Sequence, residues 1–184
     1  MKNQQITPAQ TALNFGIILG AYNIIVGIML YFLDMHYQND QTVGIINIVI
    51  TVVIIMAGII QFKKANEGFL SLSEALKIGL GVAVISAVLG IIYYFILTGI
   101  LDPETLDKSL EFQKQKMLSS DPEMSVESAN KFVDMQRKFS SPLIISAFAI
   151  VGSLFIGFVI SLIGGLIVKK SRLNRTNFLF LLVK

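Results

Sequence analysis

The sequence predicts an all-α integral membrane protein, with four transmembrane helices and an extracytoplasmic helical hairpin between the third and the fourth. Three observations carry this prediction. The chain has 184 residues, of which 54% are hydrophobic and only 15% charged, against about 25% charged in ordinary soluble domains. Its mean hydropathy is +0.71. Residues 11–33, 43–62, 78–101 and 142–168, stretches of 23, 20, 24 and 27 residues, contain no Asp, Glu, Lys or Arg, so all 27 charged residues fall in the other 90. At about 1.5 Å per residue, such stretches reach roughly 30 to 40 Å, enough to cross a hydrocarbon core of about 30 Å. An unpaired amide in lipid costs several kcal/mol, which forces helix. The Ile- and Val-rich run 45–60 obeys the same rule, since no sheet partner is available there.

The spans are placed at about 11–33, 43–62, 76–101 and 142–168 within one membrane domain, 1–184. The first is longer than a typical signal-peptide core and is preceded by a single Lys2, so it reads as an uncleaved anchor. Loop 34–42 has no Lys or Arg, whereas the next loop opens with Lys63-Lys64. The tail 169–184 is basic. With both termini cytoplasmic, the inner parts sum to +7 and the outer parts to −4, giving the net +3 of the chain. That distribution follows the positive-inside rule. Trp is absent, and Tyr31, Tyr37, Tyr93 and Tyr94 fall near the outer face, where Tyr anchors belong.

Residues 102–141 are the one sizeable piece outside the membrane. Asp102-Pro103-Glu104 has the form of a helix start, with an acceptor at the N-cap and Pro at N1. Leu106, Leu110 and Met117 follow at near-helical spacing. The run 119–123 breaks the pattern, and Asp121-Pro122 or Ser125 offers a cap for a second helix. That helix carries Phe132, Met135 and Phe139, with Val126, Ala129 and Val133 alongside. The expected arrangement is an antiparallel pair packing its apolar stripes together, in preference to a docking surface for a partner or lipid headgroups.

Between helices in lipid, small residues permit close approach. Span four has Ala149, Ser153, Gly157, Ser161 and Gly165 at successive i+4 positions. Span one has Ala12, Gly16 and Gly20, and span three has Ala75, Gly79, Ala83 and Ala87. These stripes are read as packing within one chain. Gly157, in the middle of the longest, is the position to test. Asn23 near the centre of span one is the polar group most costly to leave unpaired, and Asn47 is a further candidate polar position in span two. An interhelical hydrogen bond is the expected role of Asn23. At the entrance to span three, Ser71 or Ser73 supplies a cap, Glu74 favours the positive helix end, and Lys77 pairs with Glu74 at i+3 or snorkels.

Several function classes fall away. Zero Cys removes disulfides, thiolate metal sites and Cys nucleophiles. The single His36 removes any His-cluster metal site and leaves His-based triads one loop-placed candidate. It is expected to be solvated, and the outer carboxylates are expected to form a solvated charged face. No ionisable side chain lies deep in a span, although pumps and proton-coupled transporters usually keep one there. No catalytic residue, cofactor or metal is assigned, and no nucleic-acid partner, because the basic residues are placed by topology rather than gathered in a patch.

The run 68–79, GFLSLSEALKIG, followed by an apolar span ending in Asp102-Pro103, resembles the bacterial membrane-protein family catalogued as domain of unknown function 4199. The resemblance covers roughly residues 10–170. It implies four membrane helices in the inner membrane of a Gram-negative cell, and no established activity or cofactor. It also implies gene neighbourhoods shared with polyprenyl-phosphate glycosyltransferases. The expected function is a non-enzymatic assembly, anchoring or regulatory partner of an envelope protein. The bilayer and either a membrane-protein partner or a second copy of the chain are its contacts. A small transporter or channel is the alternative, and an accessory role in polyprenyl-phosphate glycosyl transfer a further one.

Overall fold

A computed structural model describes residues 6–171; Lys2, Arg172, Arg175, Lys184 and the apolar run 178–183 lie outside them. The described chain is all-helical: α1 Pro8–Phe32, α2 Gln41–Ala65, α3 Leu72–Ile96, α4 Thr105–Ser120, α5 Val126–Lys138 and α6 Pro142–Val168, with a π turn Leu97–Leu101 prolonging α3. Four units are long and apolar enough to cross a membrane: α1, α2, α3 with its π turn, and α6.

The helix ends follow from capping chemistry. Thr7 caps α1 ahead of Pro8, Asp40 caps α2, and Ser141 caps α6 ahead of Pro142. Ser71, not Ser73, caps α3, and Glu74 returns the bond to the Ser71 amide at 2.8 Å, closing a capping box. Glu74 is thereby engaged with Ser71, and no Glu74–Lys77 ion pair forms among the described residues. At the other end of that loop Gly68 stands at φ +81°, a left-handed conformation that costs Gly little. Lys63 donates to the Val168 carbonyl at 2.7 Å, satisfying an orphan acceptor at the C-terminal end of α6. Leu70 and Lys170 exchange two backbone bonds of 2.9 Å, so the α2–α3 loop is tied to the end of α6.

α3 sits centrally, touching α1, α2 and α6, while α1 and α6 do not touch each other. The small-residue stripes explain the pairings. A Cβ on Gly157 would lie 2.6 Å from the Ala83 Cβ and 3.0 Å from the Gly79 carbonyl oxygen, and one on Gly79 would strike Ser161. On the opposite side, a Cβ on Gly16 would come within 2.7 Å of Ile85, and one on Gly81 within 2.6 Å of Ala12. Gly16 and Gly20 of span one and Gly157, Ser161 and Gly165 of span four thus meet α3, whereas Ala149 and Ser153 of the same stripe do not take part in this contact.

The packing is lopsided. The buried residues of α1 run from Thr11 to Gly20, of α2 from Ile55 to Phe62, of α3 from Ala75 to Ser86 and of α6 from Gly157 to Gly165. All lie in the half of the bundle nearest the termini. In the other half α2 and α6 part, and side chains such as Ile45, Phe148, Val151 and Phe155 are exposed, as a lipid-facing surface requires.

α4 and α5 form an antiparallel pair beyond the splayed end, joined across their ends by Arg137–Asp107 at 2.6 Å. Ser125 is the cap of α5. Two expectations are corrected here. Asp102 is not the N-cap of α4: it accepts the Glu104 amide at 3.2 Å in a turn, and the helix starts at Thr105. The other Asp102 carboxylate oxygen is taken by His36 from the α1–α2 loop and by Lys108 on α4. Leu110 and Ala129 are buried, but Phe132, Met135 and Phe139 are 39%, 53% and 62% exposed. The buried positions of the pair are thus Leu110 and Ala129 rather than this exposed stripe.

Candidate functional site

The parting of α2 from α6 leaves a groove of about 390 Å³ in the splayed half, floored by α1 and α3. Apolar and small side chains dominate it, interrupted by Asn23, Asn47, Thr51, Ser86, Tyr94, Ser146 and Ser153. Most of these polar groups are satisfied internally. Asn23 Nδ2 donates to Ser86 Oγ at 3.1 Å, and Tyr22 OH donates to Asn47 Oδ1 at 3.1 Å. Thr51 donates to the Asn47 carbonyl at 2.7 Å, Ser146 to Pro142 at 2.7 Å and Ser153 to Ile150 at 2.8 Å. Hydroxyls turned back on their own helix offer no proton to a solute.

The groove therefore gathers two of the five positions singled out from sequence, Asn23 and Asn47. Gly157 lies in the α3–α6 contact below it. Glu74 and Lys77 are at the far end of the bundle, Glu74 in a recess with Asn66, Phe69 and Lys170. The five do not form one site.

A second constellation escaped the sequence reading. His36 is not solvated: its side chain is 4% exposed and its Nε2 lies 2.9 Å from Asp102 Oδ2. Lys108 donates to the same oxygen at 2.8 Å, and Asp102 is 10% exposed. The expected solvated carboxylate is thus a junction linking the α1–α2 loop, the end of the third span and the start of α4. Burial alone would raise the Asp102 carboxyl, but hydrogen bonds from Lys108 and His36, the Lys108 charge and the Glu104 amide together hold it below its ordinary value. Reciprocally, the bond to Asp102 holds the Lys108 ammonium above its ordinary value. An ionised carboxylate only accepts, so His36 Nε2 carries the proton, and the buried Nδ1 is left without a partner among the described residues. Tyr31 and Tyr37 rings pack against the imidazole, with centroids at 5.5 and 5.3 Å. Asn39 reaches Ser109 at 3.3 Å, adding a second tie between loop and hairpin. The contacts with Asp102 span 66 positions of sequence for His36 and 6 for Lys108. Among the described residues no group of three or more His, Asp or Glu is arranged to hold a metal ion.

These features define a multi-pass helical membrane protein, with a tight bundle at one end and a groove and buttressed helical pair at the other. The model of a family described as protein of unknown function, DUF4199, matches residues 14–170, and the chain belongs to that family. No curated protein and no solved structure matches the chain.

Proposed function

We propose that this chain is a non-enzymatic assembly or regulatory partner in the bacterial inner membrane, meeting another envelope protein through its extracytoplasmic hairpin. The observation that carries this reading is the bare face Phe132–Met135–Phe139. Three large apolar side chains on one side of a short amphipathic helix, with Lys131 and Lys138 beside them, have the make-up of an interface anchor. The hairpin is buttressed from below by the His36–Asp102–Lys108 junction, so the face is presented on a fixed support. The Thr51, Ser146 and Ser153 hydroxyls turned back on their own helices and the lack of charge in the spans argue against a polar-solute pathway.

Replacing Phe132, Met135 and Phe139 together by Ser is expected to leave thermal stability almost unchanged, since exposed substitutions usually move it by less than about 0.5 kcal/mol. A photo-crosslinking residue at Met135 is expected to give one defined protein adduct in cells. Partner retention in mild detergent should fall at least about tenfold in the triple variant. The absence of any adduct, or unchanged retention in the triple variant, refutes the proposal.

The orientation assumed here has its own test. The chain has no Cys, so single substitutions report cleanly. In spheroplasts, Ser128→Cys on α5 should react with an impermeant maleimide, and Ser73→Cys only after permeabilisation. The reverse pattern would place the hairpin in the cytoplasm.

A further inference from the structure

We infer that the groove between α2 and α6 is a binding site for one acyl chain of a diacyl phospholipid, drawn from the leaflet on the hairpin side. Its shape selects the occupant. The groove runs from Ala83 to Tyr94 on α3 and from Ile145 to Ile156 on α6, which is about 16 Å along a helix axis. A volume of about 390 Å³ open to the centre of a water molecule over that length gives a mean cross-section of roughly 24 Å², or about 50 Å² between atom surfaces once the water radius of about 1.4 Å is added. An α-helix about 10 Å across fills roughly 80 Å² and does not enter. A single hydrocarbon chain, packed at carbon–carbon distances of about 4 Å, fills roughly 20 Å² and does. The deep end is closed by the interlocked α3–α6 contact at Ala83 and Gly157, so a chain enters from the splayed end or sideways from lipid.

The remaining hydrogen-bonding capacity distinguishes a site from a mere gap. Once Asn47 Oδ1 has accepted from Tyr22 and the Thr51, Ser146 and Ser153 hydroxyls have bonded their own helices, the Asn47 amide protons and the Tyr94 hydroxyl, with the Ser86 hydroxyl proton deeper in, have no protein partner among the described residues. Asn47 is the seventh residue of α2 and Tyr94 lies seven residues before the end of the third span, each about 10 Å from its helix end. Helices of this length overhang a hydrocarbon core of about 30 Å by several ångströms at each end. Both donors therefore sit just below the hydrocarbon boundary, where the ester carbonyls of a phospholipid lie. The match is of two donors to an acceptor at the head of an apolar chain.

Native mass spectrometry of the delipidated full chain, titrated with dioleoyl phosphatidylcholine or its diether analogue of the same chains, tests this inference. One lipid per chain is expected to be retained, with the ester form held about threefold tighter, the effect of one hydrogen bond within a membrane. Tyr94→Phe, which removes one of the two donors, should reduce that preference while leaving chain binding intact. Filling the groove with Ala149→Phe and Ser153→Phe should lower retention at least tenfold, whereas Ala147→Phe on the other side of α6 should not. Equal retention by the filled variant and the wild type overturns the site. Equal affinity of the wild type for ester and ether lipid overturns it too, as does an ester preference left unchanged by Tyr94→Phe. Neither readout depends on whether the hairpin has a protein partner.

Discussion

Gly157→Leu is expected to collapse the transmembrane bundle itself, lowering the melting temperature in detergent by on the order of 10 °C or abolishing the folded state. Position 157 is where α6 lies closest to α3: a Cβ there would be 2.6 Å from the Ala83 Cβ and 3.0 Å from a backbone oxygen of Gly79. The Ala83 methyl has no rotamer to change, and the carbonyl oxygen belongs to the helix ladder, so relief requires the helices to separate. Overpacking a tight contact typically costs about 1 to 3 kcal/mol. Leu adds more atoms than Ala, which makes Gly157→Ala the milder step in the series. Separation would also open neighbouring contacts, since Gly79 meets Ser161 and Ala75 meets Gly165 one and two turns further along the seam. Gly152→Leu is the matched control, because nothing lies within 4 Å of a Cβ there, and it should be nearly silent. Adding Ala83→Gly to Gly157→Ala should restore part of the lost stability, since it removes one of the two obstructing atoms. A variant that melts like the wild type but loses a dimer would mean the stripe serves contacts between chains.

This contrast shows what a single sequence exposes and what it conceals. The span count was legible because a bilayer imposes a length and a charge penalty that act locally, residue by residue. Pairing of the spans was partly legible, because Gly157, Ser161 and Gly165 repeat at the helix period and so advertise a seam. The partner face of the seam was not, because α3 carries one small-residue line toward α6 and uses Gly81, Ile85 and Leu89 toward α1. The groove was invisible: it is a consequence of where burial stops along each helix, and uncharged apolar text looks alike on both sides of that point. Asn23 and Asn47 could be flagged as polar, but only their positions around the floor and wall give them a common cavity. His36 was misread for a related reason. A lone His in a nine-residue loop looks solvated until the chain, 66 positions later, brings Asp102 beside it. The same neighbour explains the misplaced start of α4, for a carboxylate shared by His36 and Lys108 is in the wrong place to cap.

Asp102→Asn is expected to loosen the hairpin end of the molecule while leaving the tight half of the bundle intact. The substitution keeps the shape and removes the charge, so Lys108 loses its ion pair and His36 loses a charged acceptor. A hydrogen bond to a charged group is worth about 1.5 to 3 kcal/mol. Breaking a fully buried pair costs about 3 to 5 kcal/mol, but Lys108 is 38% exposed, so solvent takes up part of that loss and about 2 kcal/mol is the expected scale. Asp102→Ala should cost more, since the turn bonds to Glu104 and the packing around the side chain go as well. Hydrogen exchange locates the effect: protection should fall in loop 34–40 and the first turns of α4, and hold in α3 between Ala75 and Ser86. The pH dependence supplies a second signature with a fixed sign. Because the folded state holds the Asp102 carboxyl below its ordinary value, its contribution is fully present above that ordinary value and is lost as pH falls through the lowered one. Acidification of the wild type should therefore release the hairpin end first, whereas the Asn variant, already lacking the charge, should show a flatter acid limb for the same amides. If those amides respond to acid identically in both proteins, the junction is held by packing on Tyr31 and Tyr37 rather than by charge.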